Sequence, residues 1–418
     1  MKQLKVVQTF VSRFLILIFN FGLVIFSTNM WGSEGKGAIS MVIANVALVS
    51  FFSSIFSGSS TSFFAKKFPT EQVLVYSYFW SILTGISVPF LFGFAISDNH
   101  FMPYFVLISV FSSLLSTNIN LFVGTQNIRF FNVYTVLQQL LHVVFLAVLI
   151  FLINLKDVSV YFLAQILCLA LLFLISFFQI AGKCNFRAFK FSKMVFRSMF
   201  DYGWKTQLSA FLQFLNYRLS FYFLEKYEGL SAVGIFSIGI TFSEAIWTIT
   251  RSIAVVLYSE VVNSISKAES VLKTKNALKV SFSLMLIFLL GIILIPSNIY
   301  TVIFGNEFSQ TKKIMLLLAP GTFAIAVSDM IGYYFSGIKE LRILNVKALI
   351  GLFITIGFSI YAIPRWGILG ACLVTTISYC ASAALLFGKF FRSTQFRMRD
   401  YLMSKDDFKS LLSIFARK

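Results

Sequence analysis

Five ionisable side chains lie within long apolar stretches of the chain: His142, Arg218, Glu244, Arg251 and Asp329. A charged group near the middle of a bilayer costs roughly 2.5–3.5 kcal/mol on insertion scales, so it must face water, find a partner or reach the interface. Glu244 and Arg251 are seven residues apart and therefore share one helical face. Because an intramembrane carboxylate can change its charge, Glu244 and Asp329 are candidates for lining a cavity or for coupling to a proton or sodium ion, and His142 is a weaker candidate.

Each of these residues also has an ordinary structural interpretation. Arg251 lies near one end of its apolar stretch, where a long side chain reaches the interface, and Arg218 can form a buried pair with Glu244. His142 shares its stretch with two glutamines, a pattern typical of hydrogen bonds between helices. The two histidines and four cysteines have no metal-ligand spacing, so we expect no metal site, no catalytic residue and no cofactor other than a coupling ion.

The composition requires lipid around much of the surface. Of the 418 residues, 58% are hydrophobic and 12% are charged, and the mean hydropathy is +0.85. A soluble protein is nearer half apolar and a quarter charged. These values exclude a soluble enzyme, a secreted domain and a disordered chain. The first apolar stretch has no cleavage site of small residues after it, so we expect it to be retained as a helix.

Twelve apolar stretches approach the roughly 20 residues that a membrane-spanning helix needs. The first six are 10–28, 38–56, 76–96, 101–122, 133–152 and 158–181, and the second six are 206–223, 233–253, 280–295, 314–335, 346–363 and 368–387. Polar or glycine-containing segments, such as Gly32–Gly37, separate them. Most of the 35 Lys and Arg residues, Lys347 among them, fall on one side if both termini are placed on that side, whereas Lys36 falls in a loop on the opposite side. The positive-inside rule then places both termini in the cytoplasm, and the net charge of +19 reflects topology and not nucleic-acid binding.

Two pairs of short segments indicate an internal repeat. Gly32–Ser40 shares two glycines and a serine with Gly229–Ser237, and Gly124–Val133 shares Gly, Arg, Asn and Val with Gly337–Val346. Both pairs occur in the same order and at the same point in the helix count. The sequence therefore predicts an all-α integral membrane protein of about twelve transmembrane helices, in two pseudo-twofold six-helix bundles around a central cavity.

The basic stretch between the two bundles is the expected linker. We predict an N-terminal half at residues 1–181, a cytoplasmic linker at 182–205, a C-terminal half at 206–387 and a basic cytoplasmic tail at 388–418. Parallel repeats of this kind commonly carry a substrate path at their interface and move one half against the other.

Several segments of the second half resemble a known family. Ile299–Phe308 is similar to the apolar–Phe-Gly-x-x-Phe segment that follows the ninth helix of polysaccharide exporters. Ile363–Ala371 is similar to the Pro-x-x-Gly-x-x-Gly-Ala start of their last helix, and Gly229–Ser237 and Ser336–Val346 also resemble the family. On these residues the chain resembles the bacterial O-antigen flippases of the multidrug/oligosaccharidyl-lipid/polysaccharide exporter superfamily.

The resemblance implies a function in lipopolysaccharide and surface-polysaccharide biosynthesis. The expected cargo is an undecaprenyl-pyrophosphate-linked oligosaccharide repeat unit, moved by alternating access from the cytoplasmic to the periplasmic leaflet of the bacterial inner membrane. Other polysaccharide-assembly membrane proteins are the expected partners, besides the bilayer itself. Guanidinium groups suit phosphate oxygens, so the candidate substrate-binding residues are Arg218, Arg251, Arg129, Arg342 and Arg13.

Three alternatives remain open on the sequence. Arg129, Arg342 and Arg13 are also explained as ordinary charges of the cytoplasmic side. A drug or cation antiporter of the same fold would need an acidic, aromatic cavity, whereas the apolar stretches here carry two Arg and two acids. A membrane polysaccharide polymerase would need a large periplasmic loop, and the sequence has none. We find no nucleophile–base constellation and no phosphate-binding loop, and we therefore expect a transporter and not an enzyme.

Overall fold

The computed structural model describes residues 2–92, 99–182, 184–186, 189–262, 264–338, 340 and 342–394. Over these residues every regular element is a helix. The prediction of an all-α chain is confirmed, and the bounds of the helices differ from the apolar stretches mainly at three glycines.

The described residues before 182 form six α-helices. They are α1 (Lys2–Ser57), α2 (Ser59–Phe64), α3 (Thr70–Phe92), α4 (Met102–Gly124), α5 (Ile128–Ala147) and α6 (Ser159–Ala181). A short 3₁₀ turn at Asn99–Phe101 precedes α4, and a π-helical turn at Val148–Leu152 extends α5. The carboxylate of Asp157 accepts a hydrogen bond of 2.9 Å from the backbone N–H of Ser159 at the start of α6, and hydrogen bonds from Ser159 lower the pKa of Asp157.

The remainder of the described chain contains five α-helices. They are α7 (Lys193–Val262), α8 (Lys267–Leu294), α9 (Ser297–Phe304), α10 (Thr311–Gly337) and α11 (Arg342–Thr394). Ser266 caps α8 by accepting the N–H of Glu269 through its hydroxyl at 3.2 Å. A 3₁₀ turn at Asn306–Phe308 follows α9.

Nine helices in the described part of the chain are long and apolar enough to cross a membrane. Three of them have apolar helical lengths of 51, 38 and 53 residues, against about 20 for one crossing, and each contains one glycine with positive φ. These glycines are Gly32 in α1 (φ 64°), Gly229 in α7 (φ 82°) and Gly367 in α11 (φ 52°). Each of the three helices therefore supplies two crossings, which gives the twelve predicted segments of a multi-pass membrane protein.

The connection at Gly32 differs from the one predicted. We expected Gly32–Gly37 to be a polar break between two spans, but the helix resumes at Ser33 and only Gly32 departs from helical geometry. Glycine is the residue that adopts a left-handed conformation without a steric penalty, so one residue is enough to end one helix and begin the next. Gly229 has nearly the same conformation, with ψ of −178° against −162° for Gly32, in agreement with the predicted repeat.

The chain divides into two compact units, Met1–Phe214 and Leu215–Lys418. The division falls inside α7. The segment 182–205, which we expected to be a linker, is helical from Lys193 onward, while the predicted domain bounds stay a prediction.

Each unit has a matching close approach between two helices. A Cβ on Gly124, the last residue of α4, would lie 2.4 Å from the carbonyl oxygen of Ser62 in the first unit. A Cβ on Gly337, the last residue of α10, would lie 2.5 Å from Cγ1 of Val261 in the second unit. The sequence repeat that contains both glycines is thus a packing requirement, because any side chain there would separate the helices.

Large apolar side chains cover the outside of both units. Examples are Phe90, Phe178 and Phe353, each of which has more than half of its surface exposed. Such exposure would cause aggregation in water, but it is expected where lipid is the solvent.

Candidate functional site

The ion pair of Arg218 and Glu244 lies within the second unit. Nη2 of Arg218 is 2.6 Å from Oε1 of Glu244, and the guanidinium also lies over the ring of Phe221 at 5.1 Å. In a straight helix these two residues would be about 39 Å apart, since each residue adds 1.5 Å. The turn at Gly229 brings them together. The structure therefore has the pair that we considered as the structural alternative for Arg218.

Asp329 lies at the centre of a second group of charges, which we call the Asp329 cluster: Trp247, Arg251, Asp329 and Lys347. Oδ1 of Asp329 accepts a hydrogen bond from Nζ of Lys347 at 3.0 Å. Oδ2 accepts one from Nε1 of Trp247 at 2.8 Å and lies 3.6 Å from Nε of Arg251. The Asp329 and Lys347 side chains are each 9% exposed, whereas Arg251 is 48% exposed. One buried carboxylate thus faces two cations.

A group of aromatic side chains lies between the Arg218–Glu244 pair and the Asp329 cluster, which are the two ion clusters of the second unit. The guanidinium of Arg251 stacks over Trp247, with Cζ 4.5 Å from the ring centre, because residues four apart lie one above the other on a helix. Trp247 packs edge-to-face on Tyr217 at 4.7 Å, and Tyr217 packs on Tyr379 at 5.3 Å. Tyr379 is within electrostatic range of members of both ion clusters. The two clusters are therefore neighbours in one unit.

A neutral polar cluster surrounds Asn216, which precedes Arg218 by two residues. The amide oxygen of Asn216 accepts hydrogen bonds from the hydroxyls of Thr355 at 2.7 Å and Ser378 at 2.8 Å. The carbonyl oxygen of Gly351 lies 2.8 Å from the same Ser378 hydroxyl and is an alternative acceptor for its one proton. These contacts join α7 to both segments of α11, as is typical of hydrogen bonding between membrane helices.

The other predicted site residues lie elsewhere. His142 is buried in the first unit, with Nε2 3.2 Å from the carbonyl oxygen of Tyr161 and its ring edge-to-face on the Tyr161 ring, which is the structural interpretation. Arg129 and Arg342 are exposed in the first turns of α5 and α11. Arg13 lies in α1, and its side chain is outside the described part of the structure.

Comparison with known proteins identifies the fold. No family of proteins matches the sequence, and no curated protein is significantly similar to it. A structure of the lipid II flippase MurJ in an inward closed conformation matches with a TM-score of 0.76, over 99% of this chain and 92% of that one, at 16% identity. A MOP-superfamily transporter from Pyrococcus furiosus matches with a TM-score of 0.66, over 93% of this chain and 94% of that one, at 15% identity.

An outward-facing multidrug resistance MATE transporter of the MOP superfamily matches at 0.64, over 94% of this chain and 95% of that one, at 15% identity. The chain has the fold of the MOP-superfamily transporters. The predicted fold class is confirmed by these matches.

Within this MOP-superfamily fold, sequence reasoning missed two members of the Asp329 cluster. Lys347 was counted as a cytoplasmic charge, although it is the second residue of the apolar stretch 346–363 and is buried in the structure. Trp247 precedes Arg251 by four residues, and that spacing was a usable signal. Lys36 was also counted as a loop charge and is buried, with 5% of its surface exposed.

The described part of the chain contains no group of three or more His, Cys, Asp or Glu side chains that could hold a metal ion. The arrangement in the second unit is instead one of paired charges with a cationic excess. The Arg218–Glu244 pair and the Asp329 cluster together contain three cations and two carboxylates. Such a group can bind an anion by exchange of partners, which is chemistry that an array of carboxylates could not perform.

Proposed function

We propose that this chain is a flippase for a lipid-linked anionic oligosaccharide. In this proposal it moves undecaprenyl-pyrophosphate-linked O-antigen repeat units from the cytoplasmic to the periplasmic leaflet by alternating access. The bacterial inner membrane is the proposed location, with both termini in the cytoplasm. Other membrane proteins of polysaccharide assembly are the proposed partners.

The observation that carries the proposal is the cationic excess of the Arg218–Glu244 pair and the Asp329 cluster taken together. Arg218 and Glu244 neutralise each other, whereas Asp329 faces both Arg251 and Lys347. An excess cation inside a membrane protein is expensive unless an anion offsets it. A pyrophosphate group is such an anion, and Arg251 is the half-exposed cation that can reach it with a guanidinium fork.

Two further findings support the same substrate class. The matched fold includes a protein described as a lipid II flippase. Independently, Ile299–Phe308 and Ile363–Ala371 resemble segments of polysaccharide exporters. Neither finding depends on the charges of the Asp329 cluster.

Deletion of the gene, followed by analysis of lipid-linked sugars, tests the proposal. We expect single undecaprenyl-linked repeat units to accumulate in the cytoplasmic leaflet, and the wild-type gene to remove them. Unchanged translocation with shortened surface glycans would instead indicate a polymerase. Unchanged lipid-linked sugars with lowered resistance to cationic drugs would indicate an antiporter.

The antiporter remains the second candidate because of one observation on this chain. The Glu244 side chain is 40% exposed, which is unusual for a carboxylate in an apolar helix. MATE multidrug transporters also share the fold. An acid of this kind suits a cationic substrate or an exchanging ion.

We further propose Glu244, and not Asp329, as the carboxylate for proton or sodium coupling. Lys347 binds Asp329 in a buried pair, whereas Glu244 is accessible. Glu244→Gln should abolish the dependence of transport on the ion gradient and leave the amount of protein in the membrane unchanged. Normal gradient dependence in this variant would remove Glu244 from consideration.

A further inference from the structure

We propose that Arg251 and Lys347 form an anion-binding site that the carboxylate of Asp329 occupies when no substrate is bound. A phosphate group of the cargo then displaces that carboxylate from Arg251 during each transport cycle. This inference rests on the proposed function and adds to it a specific exchange of partners. It also assigns a role to Lys347, which sequence analysis had treated as a loop charge.

The contacts of Asp329 are those that a phosphate group would make. Each carboxylate oxygen has its own donor: Nζ of Lys347 at 3.0 Å on Oδ1, and Nε1 of Trp247 at 2.8 Å on Oδ2. Carboxylate and phosphate oxygens attract the same cationic and N–H donors. The site is therefore already shaped for an oxyanion.

The two cations hold this carboxylate unequally. Lys347 forms a short, buried contact, whereas Nε of Arg251 is 3.6 Å from Oδ2, which is beyond hydrogen-bonding distance. The Arg251 side chain is 48% exposed and rests on the indole of Trp247. The stacking is a separate contact from the one between Arg251 and Asp329, and Trp247 is also held by Tyr217. Arg251 can therefore keep its position when it changes partners. Exchange therefore begins at Arg251.

An internal anion also solves a problem of the empty transporter. A buried ammonium without a counter-ion is strongly unfavourable, and Lys347 is 9% exposed. With Asp329 present, the empty site is stable and the incoming phosphate only replaces one anion by another. The carboxylate can then recover Arg251 and release the cargo on the other side, so transport does not end in a tightly bound complex.

Asp329→Asn tests the inference because asparagine has the shape of aspartate and keeps an acceptor for Trp247. With farnesyl pyrophosphate as the probe and purified full-length protein, we expect Asp329→Asn to lower the Kd about tenfold, the change expected for loss of one competing ionic contact. Transport in the complementation assay should fall, since release becomes slow. Arg251→Gln added to Asp329→Asn should reverse the gain in affinity. Glu260→Gln is the control for charge, because it removes one negative charge from an exposed position of α7, the helix that carries Arg251.

The outcomes separate this inference from the proposed function. If wild type binds the probe and Asp329→Asn binds it equally or less tightly, the exchange of partners is wrong while the flippase proposal stands. If no variant binds the probe and deletion accumulates no lipid-linked units, the flippase proposal fails as well. An equal gain in Glu260→Gln would show a general charge effect and overturn the inference.

A second variant covers the case in which Asp329→Asn does not fold because Lys347 is left buried without its partner. Asp329→Asn with Lys347→Met removes both buried charges and leaves Arg251 as the site's cation. On this background Arg251→Gln should weaken probe binding about tenfold, as expected when one charge-assisted contact is lost. No effect of Arg251→Gln there would contradict the proposed site.

Discussion

Among single residues, Arg218 has two alternative roles, substrate binding and neutralisation of Glu244, which mutation can distinguish. Its guanidinium contacts Glu244 at 2.6 Å, and both side chains are only partly buried, at 22% and 40% exposure. If Arg218 binds substrate, transport requires both the positive charge and the forked shape of the guanidinium. If Arg218 only neutralises Glu244, transport requires the positive charge alone.

We predict that Arg218→Ala abolishes complementation of a deletion strain and that Arg218→Lys restores part of it. The reason is that lysine keeps the charge but cannot form two parallel contacts to a phosphate. Surface glycan length measures the function, and immunoblotting of the membrane fraction controls for protein amount.

The double variant of Arg218→Ala and Glu244→Ala distinguishes the two roles. It should remain inactive if Arg218 contacts the cargo, because removing the acid does not return the guanidinium. Recovery of function would show that the pair is only structural, and full activity of Arg218→Ala alone would exclude both roles.

At the scale of elements, the positive φ of Gly229 permits α7 to supply two crossings. A Cβ on this residue would meet nothing within 4 Å, so substitution tests backbone conformation without a clash. Gly229→Ala should lower the stability by about 1–3 kcal/mol, because φ of 82° with ψ of −178° is a conformation that essentially only glycine adopts. Thermal unfolding in detergent measures the change.

Gly357→Ala is the matched control for that substitution. Gly357 is also open around its Cβ position but lies inside helical α11, where alanine is favoured by up to about 1 kcal/mol. The two alanine substitutions should therefore shift the unfolding temperature in opposite directions. Shifts of the same sign would contradict the role given to Gly229.

A second element-scale prediction concerns the contact of α7 with α1 in the first unit. A Cβ on Gly203 would lie 1.8 Å from the carbonyl oxygen of Ile55, and backbone atoms cannot move aside as a side chain can. Gly203→Ala should therefore destabilise the protein by about 2 kcal/mol or more, in the range of overpacked cores. The yield of folded protein in size-exclusion chromatography is a suitable measurement.

Gly182→Ala serves as the control for Gly203→Ala. Its nearest atom would be the carbonyl oxygen of Phe178 at 3.7 Å, an ordinary contact distance. Normal yield of both variants would show that α1 and α7 are not packed as closely as described.

The whole molecule is predicted to have both termini in the cytoplasm. Single cysteines at Asp98, Asp157 and Glu307, in a background without the four native cysteines, should react with a membrane-impermeant thiol reagent in intact cells. A cysteine at Ser413 should react only after the membrane is opened. Asp98 and Ser413 lie outside the residues that the structure describes. Labelling of Ser413 from outside would reverse the orientation and the direction proposed for transport.

The amino-acid sequence by itself determined the number of crossings, the helical class and the repeat. These properties are local: an apolar stretch of sufficient length must form a helix in lipid, because its backbone groups have no other partners there. The glycines of the repeat were also visible, since Gly32 and Gly229 occupy corresponding places. Their left-handed conformation, which replaces a loop by a single residue, was not visible.

Only the tertiary structure decided which charges meet. Asp329 lies on α10, Lys347 on α11 and Arg251 on α7, and their contacts depend on how each helix is rotated about its axis and packed. Hydropathy fixes the length of a membrane helix but leaves that rotation to side-chain packing. For this reason the sequence alone assigns Lys347 to a loop, whereas the structure places it in a buried contact with Asp329.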